Sequence, residues 1–135
     1  MVITNYLTEY DRWMKSAKTT LRSAINDKSS EFYNWTCFKA QQAAEYAVMA
    51  YLRGIGKCYY GHSISLLLVD LRFSKEIVDL AKKIDKYYIP TRYTDVWSEG
   101  TPEDYYTLED ASESIECTER IINEVEAKWK SLKEG

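Results

Sequence analysis

Apolar residues recur at three- and four-residue steps from the start of the chain, a spacing that is typical of an amphipathic helix. This first stripe comprises Tyr6, Tyr10, Trp13, Ala17, Leu21 and Ala24. The helix begins either at a capping box of Thr8 and Asp11 or earlier, near Thr4. We expect the polar stretch at residues 26–30 to end it.

A second helix is predicted over residues 30–54 and is apolar on two faces. Ser29 or Ser30 can cap it, with Glu31 in its first turn, and Gly54 can end it. One line of this helix carries Trp35, Phe38, Met49 and Leu52, and the other carries Ala40, Ala44, Val48 and Tyr51. A helix that is apolar on two faces has neighbours on both, so we expect it at the centre of the fold.

The rest of the pattern predicts a short helix and two further long ones. Ser63 can cap the short helix, Ser74 begins the fourth helix and Pro90 ends it. The stripe of the fourth helix comprises Ile77, Leu80, Ala81, Ile84 and Tyr88. The last helix begins at a capping box of Thr107 and Asp110. Its stripe comprises Leu108, Ala111, Ile115, Thr118, Ile122, Val125, Trp129 and Leu132.

Four long helices and one short helix, joined mostly by short loops, predict an all-α fold. The expected architecture is an up-and-down antiparallel four-helix bundle with one additional short helix, in a single domain over residues 1–135. One connection is long, at residues 89–106, and it contains Tyr93, Trp97, Tyr105 and Tyr106. Disordered segments are poor in aromatic residues, so we expect an ordered loop that packs on the bundle.

Composition limits the chemistry. The chain has 21 acidic and 18 basic residues, a formal net charge of −3, so any phosphate site must be a local cluster of cations. The single histidine and three widely separated cysteines argue against a metal site, and we expect neither a metal nor a cofactor. The cysteines indicate reduced thiols and hence the cytoplasm, and no apolar run reaches the length of a membrane span.

Three motifs carry a resemblance to a known family. The run WTCFKAQQAAEYA at residues 35–47 resembles the CFHAQQAAEKA signature of HEPN domains (higher eukaryotes and prokaryotes nucleotide-binding). Gly61-His62-Ser63 is similar to the GHS of that family, and DKYYIPTRYTD at residues 85–95 resembles its YIPTRYPD segment. The three motifs occur in the family's order over essentially the whole chain.

The resemblance implies a helical bundle that usually dimerises. The family includes small stand-alone proteins, often paired with a minimal nucleotidyltransferase in toxin–antitoxin-like contexts, and also RNA-cleaving toxins. Nucleotide binding is its older proposed role. For this chain the resemblance implies a homodimer whose partner is a minimal nucleotidyltransferase or whose ligand is a nucleotide or RNA. Because no apolar run is long enough to span a bilayer, we expect no membrane partner.

The candidate ligand-binding residues lie on the second helix, at the start of the short helix and in the long loop. They are Gln41, Gln42, Glu45, His62, Arg92, Tyr93 and Asp95. Glu45 either makes a structural ion pair, or belongs to an exposed patch, or lies in a polar pocket where it orients Arg92 or binds a ligand. His62 either makes a local contact to backbone or a carboxylate, or presents its imidazole to that pocket.

Arg92 can present its planar guanidinium to a phosphate, with Tyr93 and Trp97 as stacking surfaces. Alternatively it pairs with Asp95 or Glu45 and only holds the loop in place. Asp95 is interpreted as an acceptor that orders the loop, and not as a catalyst.

HEPN ribonucleases have an arginine followed, after four to six residues, by a histidine. The positions at that spacing after Arg92 are Trp97, Ser98 and Glu99, and His62 lies too far beyond Arg53 to match. We therefore predict a non-catalytic, dimeric HEPN-type module that binds a nucleotide-like or RNA ligand or a nucleotidyltransferase. The alternatives are a metal-independent ribonuclease toxin that uses Arg92 with His62, approaching in space or across a dimer, and a purely structural dimerisation module.

Overall fold

The structure, a computed structural model, describes residues 2–59 and 61–134, with side chains from residue 6 onward. It contains five α-helices, namely α1 (Val2–Ser29), α2 (Tyr33–Gly54), α3 (Ile64–Asp70), α4 (Lys75–Asp85) and α5 (Leu108–Glu134). Single-turn 3-10 helices occur at Thr94–Val96 and Pro102–Asp104. No β-strand occurs within these residues, so the predicted all-helical bundle is confirmed.

The central position of α2 is confirmed. It packs along α1 on one side and against α5 on another, while α4 packs on α5 and α3 packs on α4. Small side chains let the neighbouring helices approach, because Ala40, Ala43, Ala44 and Ala47 have no exposed surface. The predicted apolar line that starts at Trp35 is buried only in part, since Trp35 remains 39% exposed.

The junction between α1 and α2 differs from the prediction. Helix α1 begins at Val2, before both of the predicted starts at Thr4 and Thr8. At the start of α2, neither Ser29 nor Ser30 is the capping residue. Instead the amides of Glu31 and Phe32 donate to the carbonyls of Lys28 and Asp27, with Glu31 at φ +66°. This is a Schellman ending of α1, which sequence patterns identify most readily when a glycine takes the left-handed position.

The fourth helix ends earlier than predicted, at Asp85, ahead of Tyr88. Beyond it, the hydroxyl of Thr91 donates to the Tyr87 carbonyl at 2.6 Å, and Arg92 donates to the Tyr88 carbonyl. Pro90 disfavours helical backbone at the residue before it, and these side chains satisfy carbonyls that a longer helix would have used. The segment after α4 is therefore a series of turns.

The long loop is ordered and packed on the bundle, as predicted. Trp97 stacks on Tyr105 with ring centroids 4.0 Å apart, and its indole nitrogen donates to the Pro90 carbonyl at 2.8 Å. Asn34 on α2 is buried and its amide donates to the carbonyl of Thr91 at 3.1 Å. The capping box of Thr107 and Asp110 at the start of α5 is also confirmed.

None of the helices in the described part of the chain is long and apolar enough to cross a membrane. The three cysteines are free, with Cys37 and Cys117 buried and Cys58 exposed.

Candidate functional site

All but one of the predicted site residues come together where α2, the start of α3 and the turns after α4 meet. We call this group the Arg92 cluster; it comprises Phe38, Gln41, Gln42, Glu45, His62, Tyr88, Arg92 and Tyr93. Phe38 and Tyr88 were assigned by the periodic pattern only to apolar stripes.

Asp95 is the predicted residue that does not join the cluster. It lies exposed in the 3-10 helix Thr94–Val96, and its carboxylate makes no ion pair with Arg92. The interpretation of Asp95 as a partner for Arg92 is therefore wrong.

Arg92 is held by its own backbone turn and by aromatic rings. Its Nε and Nη2 atoms donate to the Tyr88 carbonyl at 3.1 and 2.7 Å. The guanidinium carbon lies 4.1 Å from the ring centroid of Phe38, 4.9 Å from that of Tyr88 and 5.0 Å from that of Tyr93. The interpretation in which Glu45 pairs with Arg92 is also wrong, because the guanidinium contacts a carbonyl and rings instead.

The guanidinium has a fixed orientation but no acidic partner among the residues that the structure describes. Within the part of the chain that the structure describes, no carboxylate forms an ion pair with Arg92. Its two hydrogen bonds use only two of the five N–H groups of an arginine. The remaining donors are available to an anion, because the residue is only partly buried.

The partner of Glu45 is His62. Nδ1 of His62 lies 3.1 Å from Oε1 of Glu45, and because a carboxylate accepts hydrogen bonds, Nδ1 carries the hydrogen of this contact. The His62 ring stacks on the Tyr88 ring with centroids 4.1 Å apart and 18° between the planes. This fixes the imidazole, while the side chain stays 52% exposed against 13% for Glu45.

His62 and Arg92 thus contact the same tyrosine ring, although they are distant in sequence. Nε2 of His62 lies 3.0 Å from the Tyr88 hydroxyl. The stacking of the two rings and this contact together fix the imidazole against Tyr88. The arrangement leaves an oriented imidazole beside an oriented guanidinium on one open surface.

The two glutamines support Glu45 from within α2. The amide of Gln41 donates to Oε1 of Glu45 at 3.1 Å, and the amide of Gln42 donates to Oε1 of Gln41 at 2.6 Å. Gln41 has no exposed surface, whereas Gln42 is partly exposed. Gln41 therefore acts on a ligand only through Glu45, and Gln42 is the member of the pair that a ligand can reach.

Asp85 positions the two sides of the cluster relative to each other, and sequence reasoning missed it. Its carboxylate accepts from the amides of Ile64 and Ser65 at 2.7 and 3.0 Å and from the hydroxyls of Ser63 and Ser65 at 3.2 and 2.6 Å. These bonds join the end of α4 to the start of α3, next to His62. The unpaired amides at a helix start indicate that an acceptor is needed there, but they do not identify which carboxylate supplies it.

Burial disfavours the ionised forms of a cysteine and two tyrosines of the bundle and the long loop. Burial raises the pKa of Cys37 to about 12 and that of Tyr106 to about 12, and it also raises the pKa of Tyr87. A thiol with so high a pKa is not a nucleophile at neutral pH. Among the described residues, no group of three or more His, Cys, Asp and Glu side chains could hold a metal ion.

The fold and this constellation define a helical-bundle domain of the HEPN type. A family model of the HEPN domain matches residues 10–128. The chain belongs to the HEPN domain family.

Three solved structures are similar over 88% of this chain. TT1696 from Thermus thermophilus is 37% identical with a TM-score of 0.84, and 97% of its chain is covered. ST0689, an archaeal HEPN homologue, is 42% identical with a TM-score of 0.78 and 96% coverage. An HEPN domain protein (tm0613) from Thermotoga maritima is 31% identical with a TM-score of 0.71 and 98% coverage. No curated protein matches the chain at significant similarity.

Proposed function

We propose that the Arg92 cluster binds a nucleotide unit of single-stranded RNA, and that the protein works as a dimeric binding module. The observation that carries the proposal is the Arg92 guanidinium, which is oriented by the Tyr88 carbonyl and lies beside aromatic rings without an acidic partner among the described residues. In a chain with a net charge of −3, a cation left without internal pairing is suited to an external anion.

Each part of a nucleotide has a counterpart in the cluster. The unused guanidinium donors suit a phosphate, and Tyr93, which is 50% exposed, offers a face on which a base can stack. The side-chain amide of Gln42 adds a neutral donor and acceptor on the same surface. As location we propose the cytoplasm, where an exposed thiol such as Cys58 stays reduced.

Fluorescence anisotropy with labelled single-stranded RNA tests the proposal. We expect Arg92→Gln to weaken binding about tenfold or more, since a hydrogen bond to a charged group contributes about 1.5–3 kcal/mol. The matched control is Arg120→Gln, because Arg120 pairs with Glu76 away from the cluster. Equal affinities of the Arg92 and Arg120 variants would contradict the proposal.

If the wild-type protein binds no RNA but binds a minimal nucleotidyltransferase, and Arg92→Gln weakens that complex, the cluster serves a protein partner instead. Sedimentation addresses the oligomeric state: a monomer at micromolar concentration would contradict the proposed dimer.

The second candidate function is metal-independent RNA cleavage, which the contact between His62 and Glu45 favours. A carboxylate that orients Nδ1 suits His62 to proton transfer, here next to a cation suited to the phosphate. To act on a substrate, Nε2 exchanges its 3.0 Å contact with the Tyr88 hydroxyl for a contact with the ribose. In this route Nε2 takes the proton of the ribose 2′-hydroxyl as its oxygen attacks the phosphorus. The bond from phosphorus to the 5′-oxygen of the next nucleotide breaks, and that oxygen takes a proton from water. Purified protein that cleaves RNA but not DNA of the same sequence, and loses cleavage in His62→Ala, would establish it over the binding module.

A further inference from the structure

A second aromatic surface lies on the other flank of α2, where it meets α1. The rings of Trp13 and Tyr46 are tilted by 59° with centroids 5.9 Å apart, and both line a cavity of about 280 Å³. A neighbouring cavity of about 300 Å³ shares Ser16 and Tyr46 with it, so the two adjoin along the helices. We call them together the Trp13 groove; its lining comprises Arg12, Trp13, Lys15, Ser16, Thr19, Thr20 and Tyr46.

The groove carries positive charge and hydroxyl groups, and its lining contains no carboxylate among the described residues. Arg12 pairs with Glu9, while Lys15 is exposed and makes no ion pair with a described residue. The guanidinium carbon of Arg53 lies 5.1 Å from the Trp13 ring, and its buried Nε has no hydrogen-bond partner within the described chain. In an acidic protein this local excess of cations beside two aromatic rings suits an anionic ligand that can stack.

The groove and the Arg92 cluster are adjacent because one turn of α2 contributes to both. Tyr46 follows Glu45 directly, and Gln42 lies one turn before Tyr46. A helix with its side chains is about 10–12 Å across, so a ligand that crosses this turn needs to span only about one helix diameter. A short nucleic-acid strand is long enough to do so.

We propose that the Trp13 groove is a second subsite for single-stranded RNA, occupied by a nucleotide of a strand whose other end is held at the Arg92 cluster. The inference rests on the proposed function. A base stacks on Trp13 or Tyr46, and the backbone phosphate approaches Lys15, the lining cation that makes no ion pair with a described residue. The site therefore selects an oligonucleotide over a mononucleotide without reading a particular sequence.

Calorimetry with AMP and with a short oligoadenylate tests this inference. We expect wild-type protein to bind the oligoadenylate about tenfold or more tightly than AMP, and Trp13→Leu to lower the oligoadenylate affinity about fivefold while leaving AMP binding unchanged. Because Trp13 is partly buried, the exposed Lys15→Gln is a second variant with the same expected pattern, and Lys130→Gln on α5 is its matched control.

The possible outcomes distinguish failure of the Trp13 subsite from failure of the proposed function. An oligoadenylate that binds no tighter than AMP, or a length preference that Trp13→Leu and Lys15→Gln leave intact, overturns the subsite and leaves the proposed function standing. AMP binding that Arg92→Gln does not weaken overturns the proposed function, and the inference falls with it.

Discussion

The carboxylate of Asp85 holds the start of α3 against the end of α4, and replacing it by an isosteric amide tests this role. In Asp85→Asn the amide group still accepts through one oxygen, but its nitrogen cannot accept from the second set of donors. Either the amide of Ile64 or that of Ser65 then loses its partner.

The magnitude follows from these contacts. An unsatisfied buried donor costs about 1–3 kcal/mol, and loss of a negative charge at a helix start costs about 0.3–1 kcal/mol. We expect Asp85→Asn to lower the free energy of unfolding by about 1–4 kcal/mol, a substantial part of the ~5–15 kcal/mol available to a domain.

Urea denaturation monitored by tryptophan fluorescence measures this loss. Asp95→Asn is the matched control, since Asp95 is exposed and a surface change of this kind stays within about 0.5 kcal/mol. A loss in Asp85→Asn no larger than in the control would refute the claim that this carboxylate joins the two segments.

Three further predictions concern burial in the bundle. Burial raises the pKa of Tyr106 to about 12 from 10.0, so its contribution to stability is complete below pH 10 and is lost as the pH rises towards 12. Between about pH 9 and about pH 11, wild-type protein should lose about 1 kcal/mol more stability than Tyr106→Phe, and equal losses would contradict this. Only Cys58 should react with a thiol reagent in the native protein, and all three cysteines after denaturation; fast native labelling of a buried cysteine would be inconsistent with the packing. A Cβ at Gly54 would lie 2.5 Å from Cζ3 of Trp129, so we expect Gly54→Ala to lower stability by about 1–3 kcal/mol in thermal or urea unfolding, and an unchanged stability would show that the indole moves freely.

Periodicity predicted the helices well where one apolar stripe and one local cap determine them. The capping box of Thr107 and Asp110 and the cap at Ser63 each involve residues three apart, so their sequence spacing is sufficient. The end of α1 was harder to predict from the sequence, because Glu31 adopts a left-handed conformation that glycine usually occupies. The end of α4 depends on side chains of Thr91 and Arg92 that reach back to the turns after its last residue.

The candidate site was predictable as a set of residues but not as a set of contacts. The spacing of Gln41 and Glu45 on one helix indicates their contact directly. The partner of Glu45 is His62, and the carbonyl that holds Arg92 belongs to Tyr88; both depend on how α2, α3 and the turns after α4 pack. Periodicity along a single sequence does not show which distant elements pack against each other, so it could not predict these two contacts.

The most direct test of the central claim uses the fact that His62 is the only histidine in the chain. Its imidazole resonances in an NMR spectrum therefore report on the Arg92 cluster without further assignment. We predict that AMP shifts these resonances saturably in wild-type protein and in Arg120→Gln, and that Arg92→Gln needs about tenfold or more AMP to reach the same shift. The absence of a shift in the wild-type protein, or a shift in Arg92→Gln that saturates at the same AMP concentration as in the wild type, would contradict the claim that Arg92 holds a nucleotide beside His62.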